Sequence, residues 1–538
     1  MKRFTLIILA VLAISISKAQ TEEDQPEFRK AAEKITALLY HLENSYVDTV
    51  DLNGVVDDAI REALAELDPH SVYIPAEDVQ RANEGLEGNF EGIGIQFNIL
   101  RDTITVVSPI AGGPSESLGI MAGDKIVSID GENVAGIGIT NSDVTSSLRG
   151  TKGSEVTVGI RRKETDKVLI FDIVRDEIPL YSLDASYMAT DKIGYIKINR
   201  FSKTTMDEFH AAIKSLKKQG MEDLILDLQG NGGGLLETSR QLADEFIGPD
   251  KMIVYTEGRS YPKREMIATA RGEFEEGRLI VLTNEGSASA SEIVSGAVQD
   301  WDRGLIVGRR TFGKGLVQRP IPLPDGSYVR LTTQKYFTPS GRCIQKPYDD
   351  GMEAYYREKF DRYENGELWS LDSLDFPDSL KYTTENGRTV YGGGGICPDV
   401  FVPLDTMASS DLNNDLIRKG VMNSFAITYT NANRKKLLKE FPDVKEFIAG
   451  FDIDSAVDEM KEYAAKEDEE IDWNEEDFER SKSMIQGRLK ALIARNLWDY
   501  SAYYQVFNPY WNTYNKAIEI LLENNYDDYK LADAGFQD

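Results

Sequence analysis

Residues 279–301 read LIVLTNEGSASASEIVSGAVQDW. A short apolar run bounded by turn residues fits a buried strand, and the apolar positions that follow at three- and four-residue spacing fit a helix. The stretch is therefore read as a strand at 279–282, a turn of small residues, and a helix at 289–301. The same alternation surrounds it. A strand at 193–198 precedes a helix at 206–218 that carries Phe209, Ala212, Ile213 and Leu216 on one face and stops at Gly220. A strand at 224–228, a glycine loop, a helix at 235–247 and a strand at 305–307 complete the set. Strands alternating with helices mark an α/β layer.

Upstream the composition changes. Gly92-Ile93-Gly94-Ile95 opens a β-rich region with strands at 103–107, 125–129 and 155–160 and a short helix at 141–148. That is about the smallest size of an independent domain. Before it, Ile35, Leu38, Leu39 and Leu42, then Val55, Val56, Ile60 and Leu64, recur at helical spacing up to Asp68-Pro69. At the start, Lys2 and Arg3 precede an apolar run over 4–16 and the small residues Ser17 and Ala19, the pattern of an export signal. The run falls short of the roughly 20 apolar residues that a membrane span needs. Beyond Asp405 the chain reads as helical and acidic, and its aromatics Trp498, Tyr500, Tyr503 and Tyr504 read as core.

The expected organisation is an export signal at 1–19, a helical region at 20–84, a β-module at 85–175, an α/β domain at 176–405 and a helical extension at 406–538. The segment 346–389, rich in Tyr, Asp and Glu, reads as an excursion from the α/β domain. The chain is expected outside the cytoplasm, periplasmic or secreted. An oxidising compartment permits Cys343 and Cys397, which flank the excursion, to pair; two buried thiols is the other reading. A chain of 538 residues exceeds one hydrophobic core, so several jobs can share it. Its net charge of −29 repels phosphate backbones and anionic lipid, which argues against nucleic acid or membrane as the main partner.

The chemistry is constrained by scarcity. His41, His70 and His210 are the three histidines, a poor supply for a Ser-His-Asp triad or a histidine zinc site. A hydrolase base would then be a lysine, because burial can strip its proton. Ser289 stands between a strand and a helix, where small neighbours leave room for a carbonyl and the helix N-terminus offers donors to an oxyanion. Ser289-Ala290-Ser291-Glu292 is equally a capping box. Residues 308–315, GRRTFGKG, fall one residue short of a phosphate-binding loop, and Pro320, Pro322 and Pro324 forbid the helix such a loop must open. Residues 227–235, DLQGNGGGL, lie between a strand and a helix; the glycines let backbone approach a ligand, or form a plain tight turn.

The order of these motifs, with TFGKGLVQ at 311–318, TPSGR at 338–342 and GICPD at 395–399, resembles the C-terminal processing peptidases, or tail-specific proteases, from about residue 67 to 403. The resemblance implies an α+β multidomain protein: a helical N-terminal region, a PDZ module, a crotonase- or ClpP-like α/β protease core and a helical extension. It implies Ser289 as nucleophile, Lys314 as general base and Gln318 as its orienting partner. Gly232, Gly233 and the Ala290 N–H would form the oxyanion hole. It makes Gly92, Ile93, Gly94 and Ile95 the loop that receives a peptide carboxylate, with Leu148 as a pocket wall and Arg149 as a nearby charge. The expected substrates are proteins or peptides with accessible, nonpolar C-termini, cleaved without metal or cofactor. Assembly into a homo-oligomer is left open. Gln229, where the family often has arginine, the excursion and the long tail depart from the pattern. The rival of another class is a catalytically silent peptide-binding scaffold of the same fold.

Overall fold

The computed structural model describes residues 26–530, apart from 101, 111, 163, 164, 166, 270, 271, 371–375, 406–408, 468–470 and 524. The expected export signal lies outside the described residues.

Leu279–Thr283 sits inside a six-stranded sheet, between Asp223–Asp227 and Leu305–Gly308. Those pairings are parallel, as are Ile193–Ile198 with Asp223–Asp227 and Leu305–Gly308 with Val400–Phe401. Leu183–Met188 closes one edge antiparallel to Ile193–Ile198. Strands covered on both faces read as unbroken apolar runs, which is why this layer was visible in the sequence. One face packs Leu224, Leu226 and Val281 against Phe209, Leu242 and Val294 of the helices Thr205–Lys218, Leu236–Asp244 and Ala290–Asp300. The other packs Ile225, Ile280 and Leu282 against Tyr514, Ala517 and Ile520 of Asn512–Leu522. The Tyr526 hydroxyl donates to Leu279 O at 2.8 Å and accepts the Leu279 N–H at 3.2 Å. The end of the extension therefore covers the central sheet, rather than standing apart as a tail.

A second sheet escaped the sequence reading. Tyr328–Phe337 pairs with Val72–Ile74, Leu316–Pro322 and Met252–Gly258, and Met252–Gly258 with Tyr261–Ile267, all antiparallel. Residues 308–315 thus lead into a strand and not a helix, so the near-match to a phosphate loop lapses.

The β-module is an antiparallel sheet in the order Ile95–Ile99, Ile104–Pro109, Lys125–Ile129, Glu155–Arg161, Val168–Val174, with Ile95–Ile99 on the edge. Its helix Asn141–Leu148 starts at a Thr140–Asp143 capping box. The excursion carries the helix Gly351–Glu364 and the strand pair Lys381–Thr383 and Thr389–Tyr391. Cys343 and Cys397 at its ends are both free thiols. Further on, the helices Val421–Glu440, Ile453–Glu467 and Glu475–Leu497 form a bundle around Phe425, Phe447, Leu489 and Ile493. Among the described residues no helix is long and apolar enough to cross a membrane.

Candidate active site

The turn after Leu279–Thr283 brings three serines close together, and burial separates them. Ser287 and Ser291 are fully buried. Their hydroxyls donate to the main-chain oxygens of Leu228 and Asn231, each at 2.9 Å. Ser289 alone of the three keeps solvent access. Its backbone is at φ 56°, ψ −110°, a region that costs a non-glycine residue of order 1–3 kcal/mol and persists only where the surroundings enforce it. The enforcement is visible. Glu292 takes the Ser289 N–H at 2.8 Å, and Tyr336 donates its hydroxyl to Ser289 O at 3.1 Å. Only the glutamate half of the expected capping box is formed: the Glu292 N–H bonds to Ser289 O at 2.9 Å and not to the hydroxyl.

The glycine loop lies against this turn. A Cβ at Gly233, whose φ is 103°, would stand 2.8 Å from Ser289 Cβ and 2.9 Å from Ala288 O, whereas one at Gly232 would meet nothing within 4 Å. The Gly233 N–H is spent on Asn231 Oδ1 at 2.9 Å. Among the described residues the N–H groups of Gly232 and Ala290 have no hydrogen-bond partner. Of the three expected oxyanion donors, two are therefore free and Gly233 acts through its lack of a side chain.

Glu292 is the residue that the sequence reading noticed only as a cap. It is fully buried and accepts from the Thr311 hydroxyl at 2.5 Å, Gly313 N–H at 2.7 Å and Lys314 N–H at 2.9 Å, besides Ser289. Burial pushes its carboxyl up to about 7, against the pull of those four donors. Lys314 precedes the strand Leu316–Pro322, and its ammonium makes no hydrogen bond or ion pair among the described residues. Burial holds its pKa below the ordinary lysine value, helped by the Arg330 cation and opposed by Glu292 and Asp68. A lysine so placed is able to serve as a base.

Gln318 makes no hydrogen bond to Lys314 among the described residues. Its amide donates to Thr332 Oγ1 at 3.1 Å, and the Thr332 hydroxyl donates to Asp68 Oδ1 at 2.9 Å. Asp68, read in the sequence as a helix end, is buried and also holds the His70 and Ser71 N–H groups. His70 Nε2 lies 2.9 Å from the Tyr355 hydroxyl on the excursion helix. Burial lowers His70 to about 4, with Lys314 adding to the shift, so the imidazole is neutral near pH 7. The N-terminal region thus sets charge near the lysine through Asp68 and meets the excursion through His70 and Tyr355, by contacts with no local sequence signal.

In the β-module, Ile93 and Leu148 are buried, and Ile95 and Phe97 pack on the same core. The strand Ile95–Ile99 lies on the edge of its sheet, the position at which a peptide can add as a further strand. The Ile93 and Gly94 carbonyls are tied back by Ser115 and Ile110 N–H groups. Gly94, at φ 73°, has no room for a side chain because Ile178 Cδ1 would lie 2.9 Å from its Cβ. Arg149 is not a free surface charge. It pairs with Glu84 and stacks 4.7 Å over the Phe90 ring, which ties the loop to the helix Val79–Glu87.

Three regions of the chain match known families. Residues 192–353 match peptidase family S41, residues 92–171 match the PDZ domain, and residues 412–499 match a family of unknown function, DUF8443. The chain is 36% identical over 369 residues to the carboxy-terminal processing protease CtpB of Bacillus subtilis, covering 68% of this chain and 75% of that protein. It is 35% identical over 414 residues to a carboxy-terminal-processing protease of Bartonella bacilliformis, covering 75% and 91%. Among solved structures, the photosystem II D1 C-terminal processing protease is 30% identical, with a TM-score of 0.35, over 57% of this chain and 82% of that one.

Proposed function

Since the chain belongs to the carboxy-terminal processing proteases of peptidase family S41, serine proteases here joined to a PDZ domain, we propose that it cleaves peptide bonds through Ser289 and Lys314. The neutral Lys314 amine takes the Ser289 proton, and Ser289 Oγ attacks the scissile carbonyl. The N–H groups of Gly232 and Ala290 receive the oxyanion. Collapse expels the amine with the proton held on Lys314 and leaves an acyl-enzyme, which water then hydrolyses. Gln318, through Thr332 and Asp68, fixes the strand beside Lys314. The observation that carries this reading is the lysine itself: half-buried, without an anionic partner at hydrogen-bond distance among the described residues, and joined through its N–H and Glu292 to Ser289, which alone of the three serines of the turn keeps solvent access.

The PDZ module selects the chain to be cut. A substrate's last residues add beside Ile95–Ile99, the carboxylate meets the loop at 92–95, and a nonpolar terminal side chain enters the pocket bounded by Ile93, Ile95 and Leu148. The apolar stretch at 4–16 directs the protein out of the cytoplasm, to the periplasm or beyond.

An active-site phosphonate combined with turnover of an unfolded model protein tests the reading. Wild type should be labelled stoichiometrically at Ser289, and Ser289→Ala should lose label and turnover with little change in melting temperature. Turnover surviving in Ser289→Ala, or label on Ser287 or Ser291, would sink it.

A further inference from the structure

A cleft of about 2650 Å³ lies between the PDZ module, the edge strand Leu183–Met188 and the C-terminal bundle, and neither Ser289 nor Lys314 lines it. Sites for small ligands occupy roughly 300–1,000 Å³, so its size suits a segment of chain. Its charge runs against that of the molecule. Nine lysines and arginines line it against five carboxylates, whereas the whole chain has 61 against 90.

The carboxylates in the lining are already engaged. Asp124 is gripped by Arg162, Glu208 takes the N–H groups of Ser182 and Leu183, and Asp499 caps the N–H of Ala502. Asp184 and Glu116 accept from Asn199 and the Gly112 N–H. Arg162 and Lys419 are likewise paired, with Asp124 and Asp415, but other cations are not. Lys125, Arg161, Lys435 and Lys436 make no hydrogen bond or ion pair among the described residues, and all four are exposed. Arg434 and Arg495 bond only to carbonyl and amide oxygens of Leu497, Asn496 and Asn423. The walls contributed by two different modules thus present uncompensated positive charge to one space. Tyr181, Trp498 and Tyr500 supply apolar surface between the charges.

We propose that this cleft is an exosite that holds an acidic segment of the polypeptide being processed, away from its C-terminus; the word processed rests on the protease reading above. A local positive field inside a molecule of net charge −29 favours a ligand of moderate charge that bears side chains. A nucleic acid, with a charge on every residue, meets repulsion from the rest of the surface.

The test uses the full chain with Ser289→Ala and a fluorescent Glu- and Ala-rich peptide of about a dozen residues, roughly 40 Å long when extended at ~3.3 Å per residue. The peptide is amidated at its C-terminus so that the PDZ groove is not read. The acidic peptide should bind, more weakly as salt rises. The additional pair Lys435→Glu and Lys436→Glu should lower its affinity at least about ten-fold, and Lys125→Glu, on the opposite wall, should act in the same direction. In the Ser289 background these three changes should leave turnover of a short neutral peptide unchanged. Absence of binding, affinity indifferent to both walls, or preferential binding of a single-stranded oligonucleotide of equal charge would overturn the proposal. Turnover of the neutral peptide by wild type reads the protease separately, so failure of either idea is seen alone.

Discussion

The main-chain N–H groups of Ser289 and Lys314 converge on one oxygen, Glu292 Oε2, at 2.8 and 2.9 Å. The other oxygen takes Thr311 and Gly313, so all four donors require an acceptor. In Glu292→Gln an amide nitrogen must face two of them. The variant should lose about 1–3 kcal/mol of stability. It should also lose at least roughly 100-fold in kcat, since small misplacements of reacting groups cost that much. Wild-type turnover in Glu292→Gln would remove the carboxylate from the machinery.

Activity and stability should run in opposite directions with pH. The folded-state pKa of Glu292 is raised from 4.5 to about 7. The fold therefore binds the proton more tightly than the unfolded chain, and this contribution is full below 4.5 and lost as pH rises to about 7. The ionised carboxylate is the form that accepts four donors, so kcat/KM should rise over the same interval. Melting temperature and kcat/KM measured from pH 5 to 8 check both slopes; Glu292→Gln should lack its share of the melting trend.

Arg330 helps hold the Lys314 pKa down. Removing that cation in Arg330→Gln makes the ammonium less unfavourable, raises the pKa and leaves less free amine at neutral pH. The alkaline-rising limb of the kcat/KM profile should move to higher pH. Lys314→Arg should be as inactive as Lys314→Ala, because guanidinium keeps its proton. An unmoved limb, or an active arginine variant, would count against lysine as the base.

Neighbouring glycines should differ sharply. Gly233→Ala drives a methyl to within 2.8 Å of Ser289 Cβ at a positive φ, while Gly232→Ala enters open space. Turnover should fall at least about 100-fold in the first and stay near wild type in the second. Equal effects would mean that the loop does not shape the site.

A substrate with a free Ala-Ala terminus should be cut faster than the same chain amidated or ending in Asp-Asp. The amidated form should bind about 1–3 kcal/mol more weakly, the cost of leaving the loop's amides without their anion. Three equal rates would deprive the PDZ module of its selecting role.

What could be read from the sequence follows from how local each signal is. The buried parallel strands announce themselves by unbroken apolar runs, and the helices packed on them by apolar residues at three- and four-residue spacing such as Phe209, Ala212, Ile213 and Leu216. Ser289 and Lys314 were singled out by the order of the motifs that hold them, and not by either motif alone. Glu292 carried a signal that was read too narrowly, as a cap. Asp68, Thr332 and Tyr355 gave none, because their meaning lies in partners up to 285 residues away. The second sheet was hidden for the same reason: Val72 meets Arg330, and no periodicity encodes that pairing.

The bond between Tyr526 and Leu279 bears on the order in which the enzyme is made. A ribosome delivers the chain from its N-terminus, so Asp68 waits for Thr332 before the lysine pocket can close. The strand that presents Ser289 waits longer, for a tyrosine that stands at position 526 of 538. Until Tyr526 is in place, the chain holds a serine and a lysine whose frame is unfinished. With the chemistry proposed for Ser289 and Lys314, a frame closed so late leaves little opportunity to cut the chain itself, or its neighbours, while it is still incomplete.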